Sequence, residues 1–134
     1  MGWRDVDCQT FDQRKKEVKV NKIFVFGSNR AGRHGKGAAL YALNHYGAIY
    51  GRGVGRQGMS YAIPTKDENL KTLPLSVIQT YIDTFVQYAA THPELEFLLT
   101  PIGTGLAGYS IKEIRPLFSH VSENVVFLDS WNKE

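Results

Sequence analysis

One continuous apolar run, followed by a glycine-rich loop and a helical pattern, constrains this chain most. Residues 22–26 read KIFVF, which is typical of a strand buried on both faces of a central sheet. The loop at 27–35 leads into a segment whose small and apolar side chains share one helical face, at Ala38, Ala39, Ala42 and Leu43. Gly47 then predicts the end of that helix. A buried strand, a glycine loop and a helix in this order indicate an α/β fold.

Strand and helix patterns continue to alternate along the chain. They predict strands at 60–65, 95–102 and 124–129 and helices at 74–91 and 110–121. We expect Pro64 to end the first of these strands, because proline cannot donate to a sheet ladder. Ser110 and Glu113 form a capping-box pattern at the start of the last helix. The alternation predicts a mainly parallel sheet covered on both faces, with ligands bound outside the carboxyl ends of its strands.

Composition and charge bound the possible functions. The 134 residues suffice for one domain, which we expect at 21–134 after a polar arm at 1–20. No apolar run approaches the roughly 20 residues of a membrane helix, and the charged N-terminus does not read as a secretory signal, so we expect a cytoplasmic protein. Cys8 is the only cysteine, and neither a disulfide, a metal site nor a cofactor is expected. The net charge of +3 suits an anionic ligand or nucleic acid, but solvated surface residues would give the same value.

The first glycine loop leads from a strand into a helix, which is a favourable setting for an anion. Its last amides lie at a helix N-terminus, where free N–H groups and the helix dipole attract negative charge. Gly35 and Gly37 would let a ligand approach the backbone closely, although a tight strand-to-helix turn also requires glycines. The loop is not a Walker loop, because Gly37 stands where that motif has Ser or Thr. Its glycine spacing also differs from the dinucleotide-binding fingerprint.

Two further strand ends carry candidate residues. The segment 101–110, PIGTGLAGYS, repeats the construction before a capped helix, so the two loops together could hold a diphosphate. Tyr109 is a candidate for stacking on a ribose or base, or for packing against its own helix. Lys66 and Asp67 follow the strand at 60–65, where most lysines are simply solvated. A lysine acts there only if its amine is partly neutral or its charge lies near developing negative charge.

The segment 48–60 is dense in glycine and predicts a loop or a short hairpin. Glycines allow large backbone changes, so one interpretation is that 51–58 forms a lid over a ligand. In that interpretation Arg52 and Arg56 clamp a phosphate when the lid closes.

Three of these segments together resemble the macro domain family, in the branch that contains terminal ADP-ribose glycohydrolase and the antitoxin DNA ADP-ribosyl glycohydrolase. The segments are Asn29 with GKGAA at 35–39, PTKD at 64–67 and PIGTGL at 101–106. Order and spacing agree along about four-fifths of the chain, from Lys22 onward. The resemblance implies a three-layer α/β/α domain with a mixed, mostly parallel sheet that binds ADP-ribose or an ADP-ribosylated macromolecule.

The resemblance also implies roles for individual residues. Lys66 would attack or electrostatically activate the anomeric carbon of the distal ribose, and Asn29 would orient that ribose. The remaining ligand-binding positions would be Ser28, Gly35, Lys36, Gly37, Ala38, Ile102, Gly103, Thr104, Gly105, Leu106, Ala107, Gly108 and Tyr109. Ala107 stands where the protein-directed enzyme has an acidic residue, which favours a nucleic-acid-linked or free derivative. Lys22 stands where many macro domains have an adenine-binding aspartate, and Asp67 and Asp129 are alternative carboxylates.

Three functions fit these observations. The first is an ADP-ribosyl glycohydrolase that uses Lys66. The second is a non-catalytic module that binds or sequesters an ADP-ribose derivative. The third is a nucleic-acid-binding domain whose glycine and arginine loops contact phosphates, with an affinity that falls steeply with salt. The short chain leads us to expect a free-standing accessory protein of a bacterium or its virus.

Overall fold

A five-stranded mixed sheet forms the centre of this α/β fold. The structure is a computed structural model that describes residues 21–132, so the predicted arm at 1–20, with Cys8, lies outside the described residues. The strands are β1 (Lys22–Asn29), β2 (Gly55–Gln57), β3 (Ser60–Lys66), β4 (Glu96–Leu99) and β5 (Val125–Phe127). The α-helices are α1 (Gly37–His45), α2 (Leu75–Ala90) and α3 (Ile111–Ile114), and short 3₁₀ helices span Arg115–Phe118 and Asp129–Asn132.

The strand order in the sheet is β2-β3-β1-β4-β5. Strands β3, β1, β4 and β5 are paired parallel to one another in that order, and the edge strand β2 pairs antiparallel with β3. The segment 48–60, expected to be a loop or a short hairpin, is a loop up to residue 54 and then the first arm of a hairpin whose second arm is β3. The parallel pairs bring the carboxyl ends of β1, β3 and β4 to one edge of the sheet, where their exit loops meet.

Alternating side chains of β1 enter two separate apolar cores. Ile23 and Val25 pack in the larger core with α2, and Phe24 and Phe26 pack in the smaller core with α1. Both faces of this strand are buried, as its apolar sequence predicts.

Helix α2 follows the predicted periodicity. Its fully buried residues are spaced by three or four positions, at Ile78, Ile82, Phe85 and Ala89. The helix ends at Ala90, which agrees with the expected segment. Within residues 21–132, no helix is long and apolar enough to cross a membrane.

The helix expected at 110–121 is much shorter than predicted. The capping box is present, because Ser110 Oγ accepts the N–H of Glu113 at 3.2 Å and Glu113 Oε1 accepts the N–H of Ser110 at 2.9 Å. The α-helix nevertheless ends at Ile114 and continues as a 3₁₀ turn. Pro116 has no N–H to donate, so it interrupts the regular hydrogen-bond ladder.

Candidate functional site

A cavity of about 750 Å³ opens at the edge of the sheet where β1, β3 and β4 end. This volume falls within the usual range for small-molecule sites. The walls come from the ends of β1 and β3, the N-terminus of α1, the loop after β4, and two outlying residues, Tyr50 and Leu70. The site therefore lies where an open parallel sheet commonly binds its ligand.

The N-terminus of α1 presents unpaired amides to this cavity. The first intrahelical bond runs from the N–H of Leu40 to the carbonyl of Lys36 at 3.2 Å. The N–H groups of Gly37, Ala38 and Ala39 precede this bond, so the helix offers them no carbonyl as a hydrogen-bond acceptor. All three residues line the cavity. Lys36 occupies the N-cap position and its side chain makes no capping bond, since ammonium is no acceptor. These amides are available to an anion.

The loop after β4 presents a second group of amides. Within residues 21–132, the N–H groups of Gly103, Gly105, Leu106 and Ala107 have no hydrogen-bond acceptor. The four residues line the cavity. The loop keeps its shape through other bonds, including one from the N–H of Tyr109 to the carbonyl of Gly103 at 2.9 Å. Two sets of free amides thus converge on one cavity from different strands.

The charged side chains that line the cavity are all cationic. They are Arg33, Lys36 and Lys66, and no Asp or Glu in the described part of the chain lines the cavity. None of the three makes an ion pair within residues 21–132. The cavity therefore has unneutralised positive charge in addition to its amides, which favours an anionic ligand.

The first loop and the residue after it carry a basic cluster, Arg30, Arg33, His34 and Lys36, and only part of it reaches the cavity. Arg33 and Lys36 line it, whereas Arg30 forms an ion pair with Glu68 at 3.6 Å and lies outside the lining. His34 is fully buried beneath the loop. The linear sequence shows the cluster but not this division.

Asn29 and Lys66, the two predicted catalytic residues, lie at the same level of the sheet. They are paired across β1 and β3, and both line the cavity. Asn29 Oδ1 accepts the N–H of Arg33 at 2.9 Å, and Asn29 Nδ2 donates to the carbonyl of Arg33 at 3.1 Å. The Asn29 side chain therefore also fixes the first loop. Ser28 lines the cavity but is mostly buried, and its hydroxyl donates to the carbonyl of Gly53.

A tight turn follows Lys66 and places an apolar side chain at the mouth of the cavity. The Asp67 carboxylate accepts the N–H groups of Lys71 and Asn69, at 2.9 and 2.8 Å, and these bonds hold the pKa of Asp67 below its ordinary value. Leu70 has φ of 65°, the left-handed region, and is 40% exposed at the lining. Asp67 and Asp129, the alternative carboxylates, do not line the cavity.

The segment 51–58, interpreted from sequence as a lid with two phosphate-clamping arginines, is bonded to the rest of the fold, and its closure over a ligand stays a prediction. Part of the segment is the edge strand β2, and Arg56 Nη1 donates to the Tyr88 hydroxyl on α2 at 2.9 Å. Neither Arg52 nor Arg56 lines the cavity. Gly53 serves a close backbone contact, because a Cβ there would clash with the carbonyl oxygen of Asn29.

Comparisons of the chain with protein-family models, curated proteins and solved structures find no match. The resemblance to macro domains therefore stays a prediction.

Within residues 21–132, no group of three or more His, Cys, Asp or Glu side chains could hold a metal ion.

Most of the predicted binding residues meet in this one cavity. The lining includes Ser28, Asn29, Gly35, Lys36, Gly37, Ala38, Lys66, Ile102, Gly103, Thr104, Gly105, Leu106 and Ala107. Gly108 and Tyr109 do not line it, and the Tyr109 hydroxyl donates to the carbonyl of Leu73 at 2.7 Å while its ring packs on the larger core. The prediction did not include Tyr50 or Leu70, since no local motif marks them, and it did not include Thr65 although that residue lies in the PTKD motif.

Proposed function

We propose that this chain binds ADP-ribose or a close derivative in the cavity at the carboxyl edge of the sheet. The observation that carries the proposal is the convergence of two sets of free backbone amides on a cavity with three cations and no carboxylate within the described residues. A diphosphate has the charge and the number of acceptor oxygens to occupy both sets. In this proposal the domain is a three-layer macro-type domain, as the motif order in the sequence suggests.

We further propose that Lys66 acts on the distal ribose. In its neutral form the amine would attack the anomeric carbon, and the bond to the acceptor would break with its electron pair leaving on the acceptor, which takes the proton that the amine loses. Water would then hydrolyse the bond to Lys66, which frees ADP-ribose and restores the amine. In its charged form the ammonium would stabilise negative charge that develops on the leaving group. Its place opposite Asn29 supports either role. The lack of an acid at Ala107 favours a nucleic-acid-linked or free derivative over a protein-linked one.

A second candidate function is binding without chemistry, and the lining itself favours it. Hydrolysis usually requires a general base that activates water, most often His, Asp or Glu. None of these residue types lines the cavity within residues 21–132. Only Lys66 would remain for that role, so a module that sequesters an ADP-ribose derivative is the direct alternative.

Calorimetric titration with ADP-ribose tests the binding proposal. The blocking variant is Gly105→Glu, because Gly105 has no positive φ and a Cβ there meets no atom within 4 Å. The matched control is Gln87→Glu, which adds the same charge on the exposed face of α2, outside the lining. Saturable binding by the wild type and the control, lost in Gly105→Glu, supports the proposal; no heat with the wild type refutes it.

Turnover of ADP-ribosylated DNA and protein then separates the enzyme from the binding module. For an enzyme, Lys66→Ala should abolish release of ADP-ribose while binding stays within about tenfold of wild type. Equal turnover in that variant would exclude Lys66 as the catalytic residue. Tight stoichiometric binding with no product after long incubation would support the binding module.

A further inference from the structure

His34 carries an unexplained polar atom in the interior. Its side chain is 0% exposed and packs edge-on against Phe26, with ring centroids 5.2 Å apart. Nε2 lies 2.9 Å from the carbonyl oxygen of Arg52 and 3.3 Å from Oε1 of Gln57. Within residues 21–132, Nδ1 is buried without a hydrogen-bond partner. Such groups are rare in folded proteins because they destabilise the fold.

The surrounding bonds determine which nitrogen carries the proton. Gln57 Oε1 accepts the N–H of Ile49 at 2.8 Å, and Gln57 Nε2 donates to the carbonyl of Arg52 at 2.9 Å, so the Gln57 atom that faces His34 is an oxygen. Both neighbours of His34 Nε2 are therefore acceptors. Nε2 carries the hydrogen, and Nδ1 is left with a buried lone pair.

These bonds connect His34 to the wall of the cavity. Together with Gln57, His34 anchors the turn at 49–52, which contains Tyr50. Tyr50 lines the cavity and is 60% exposed, and its ring centroid lies 6.3 Å from that of the imidazole. On the other side of His34, its chain neighbours Arg33 and Gly35 also line the cavity.

We propose that His34 is a positioning residue, whose Nε2–H holds the carbonyl of Arg52 and thereby fixes Tyr50 at the ligand. Phenylalanine would fill the same space against Phe26 and leave no buried polar atom unpaired. A histidine here is therefore explained by the bond it donates rather than by core packing. The inference rests on the proposed function, since ADP-ribose is the probe in its first test.

A double-mutant cycle tests the inference through the affinity for ADP-ribose. His34→Phe should weaken binding by about tenfold, whereas His34→Gln, which keeps a donor near Nε2, should stay within about twofold. In a Tyr50→Ala background, His34→Phe should change the affinity by less than about twofold, because the residue that it positions is gone. The thermal midpoint of His34→Phe should stay near that of the wild type, because loss of a bond is offset by removal of the unpaired nitrogen.

Two results would overturn the inference. They are a full tenfold loss that persists in the Tyr50→Ala background, and a folded His34→Gln that binds as weakly as His34→Phe. If His34→Phe does not fold, a folded His34→Gln that binds ADP-ribose about tenfold more weakly than the wild type overturns the inference, and one within about twofold supports it.

A readout without ligand separates this inference from the proposed function. Amide hydrogen exchange at Ile49 and Arg52 reports opening of the turn. In His34→Phe we expect this exchange to be faster by about tenfold, with core amides of β1 unchanged. Unchanged exchange at both amides would overturn the role of His34, whereas failure of the wild type to bind ADP-ribose would overturn only the proposed ligand.

Discussion

Replacing Gly103 with alanine should destabilise the fold, whereas the same replacement at Gly105 should not. Gly103 has φ of 76°, the left-handed region that disfavours a side chain. A Cβ there would lie 3.1 Å from Cδ1 of Ile114, which is fully buried, and 3.5 Å from Cγ2 of Thr65. Gly105, two residues further along the same loop, has neither constraint.

The two constraints at Gly103 set the size of the effect. The left-handed backbone costs a residue with a Cβ about 1–2 kcal/mol. Turning the Ile114 side chain away from its rotamer costs about 1 kcal/mol more. A loss of about 2.5 kcal/mol lowers the thermal midpoint of a chain of this size by about 10 °C. At Gly105 we expect a midpoint that is unchanged or slightly raised, because alanine restricts the unfolded chain.

Thermal unfolding followed by circular dichroism measures both variants against the wild type. Titration with ADP-ribose, below the midpoint of each variant, gives the complementary result: Gly105→Ala should bind more weakly, because its methyl group enters the space beside the free amides. If Gly103→Ala unfolds at the same temperature as Gly105→Ala, the loop does not require a left-handed residue and the reasoning fails.

Two further predictions concern the neighbouring turns. The bonds from Lys71 and Asn69 keep the pKa of Asp67 low, so their contribution to stability is present above about pH 4 and is lost as the pH falls through the folded-state pKa. The gap in urea midpoint between wild type and Asp67→Ala should therefore narrow from pH 7 to pH 3, and a constant gap would contradict this. Gly53→Ala should lower the unfolding free energy by at least about 2 kcal/mol, because its Cβ meets a carbonyl oxygen. Gly35→Ala, which meets no atom, is the control for the same urea titration.

The elements that sequence predicts well are those whose signal is local. The alternation in β1 follows from its own residues, because each of its side chains reaches one of two cores. The same holds for the apolar face of α2 and for the Ser110 cap, whose partner is three residues away. The cavity itself was predictable to the extent that strand ends of a parallel sheet converge at one edge.

The residues that sequence does not predict depend on contacts between distant segments. His34 looks like part of a solvated basic cluster, yet the turn at 49–52 buries it. Arg56 looks available to a ligand, yet a tyrosine on α2 binds it. Leu70 adopts a left-handed backbone that no sequence rule assigns to leucine. For His34 and Arg56 the partner lies far along the chain, so no local pattern contains the information. The turn around Leu70 is held by local bonds to Asp67, but nothing in a leucine itself marks the left-handed position.

Sequence predicts that Pro64 ends the strand at 60–65, whereas β3 continues to Lys66. This difference affects how the site is arranged. Strands β1 and β3 pair regularly up to Ser28 and Pro64, and then Asn29 pairs with Lys66, so that Thr65 is an extra residue in β3. Proline cannot donate a ladder hydrogen bond, which makes this position the place where the register can shift. Because of this extra residue, Lys66 pairs with Asn29. In a regular register Thr65 would pair with Asn29, and Lys66 would lie one residue past the end of β1. The residue expected to end the strand thus lies inside it, and the bulge beside it aligns the cation and the amide on which the proposed chemistry depends.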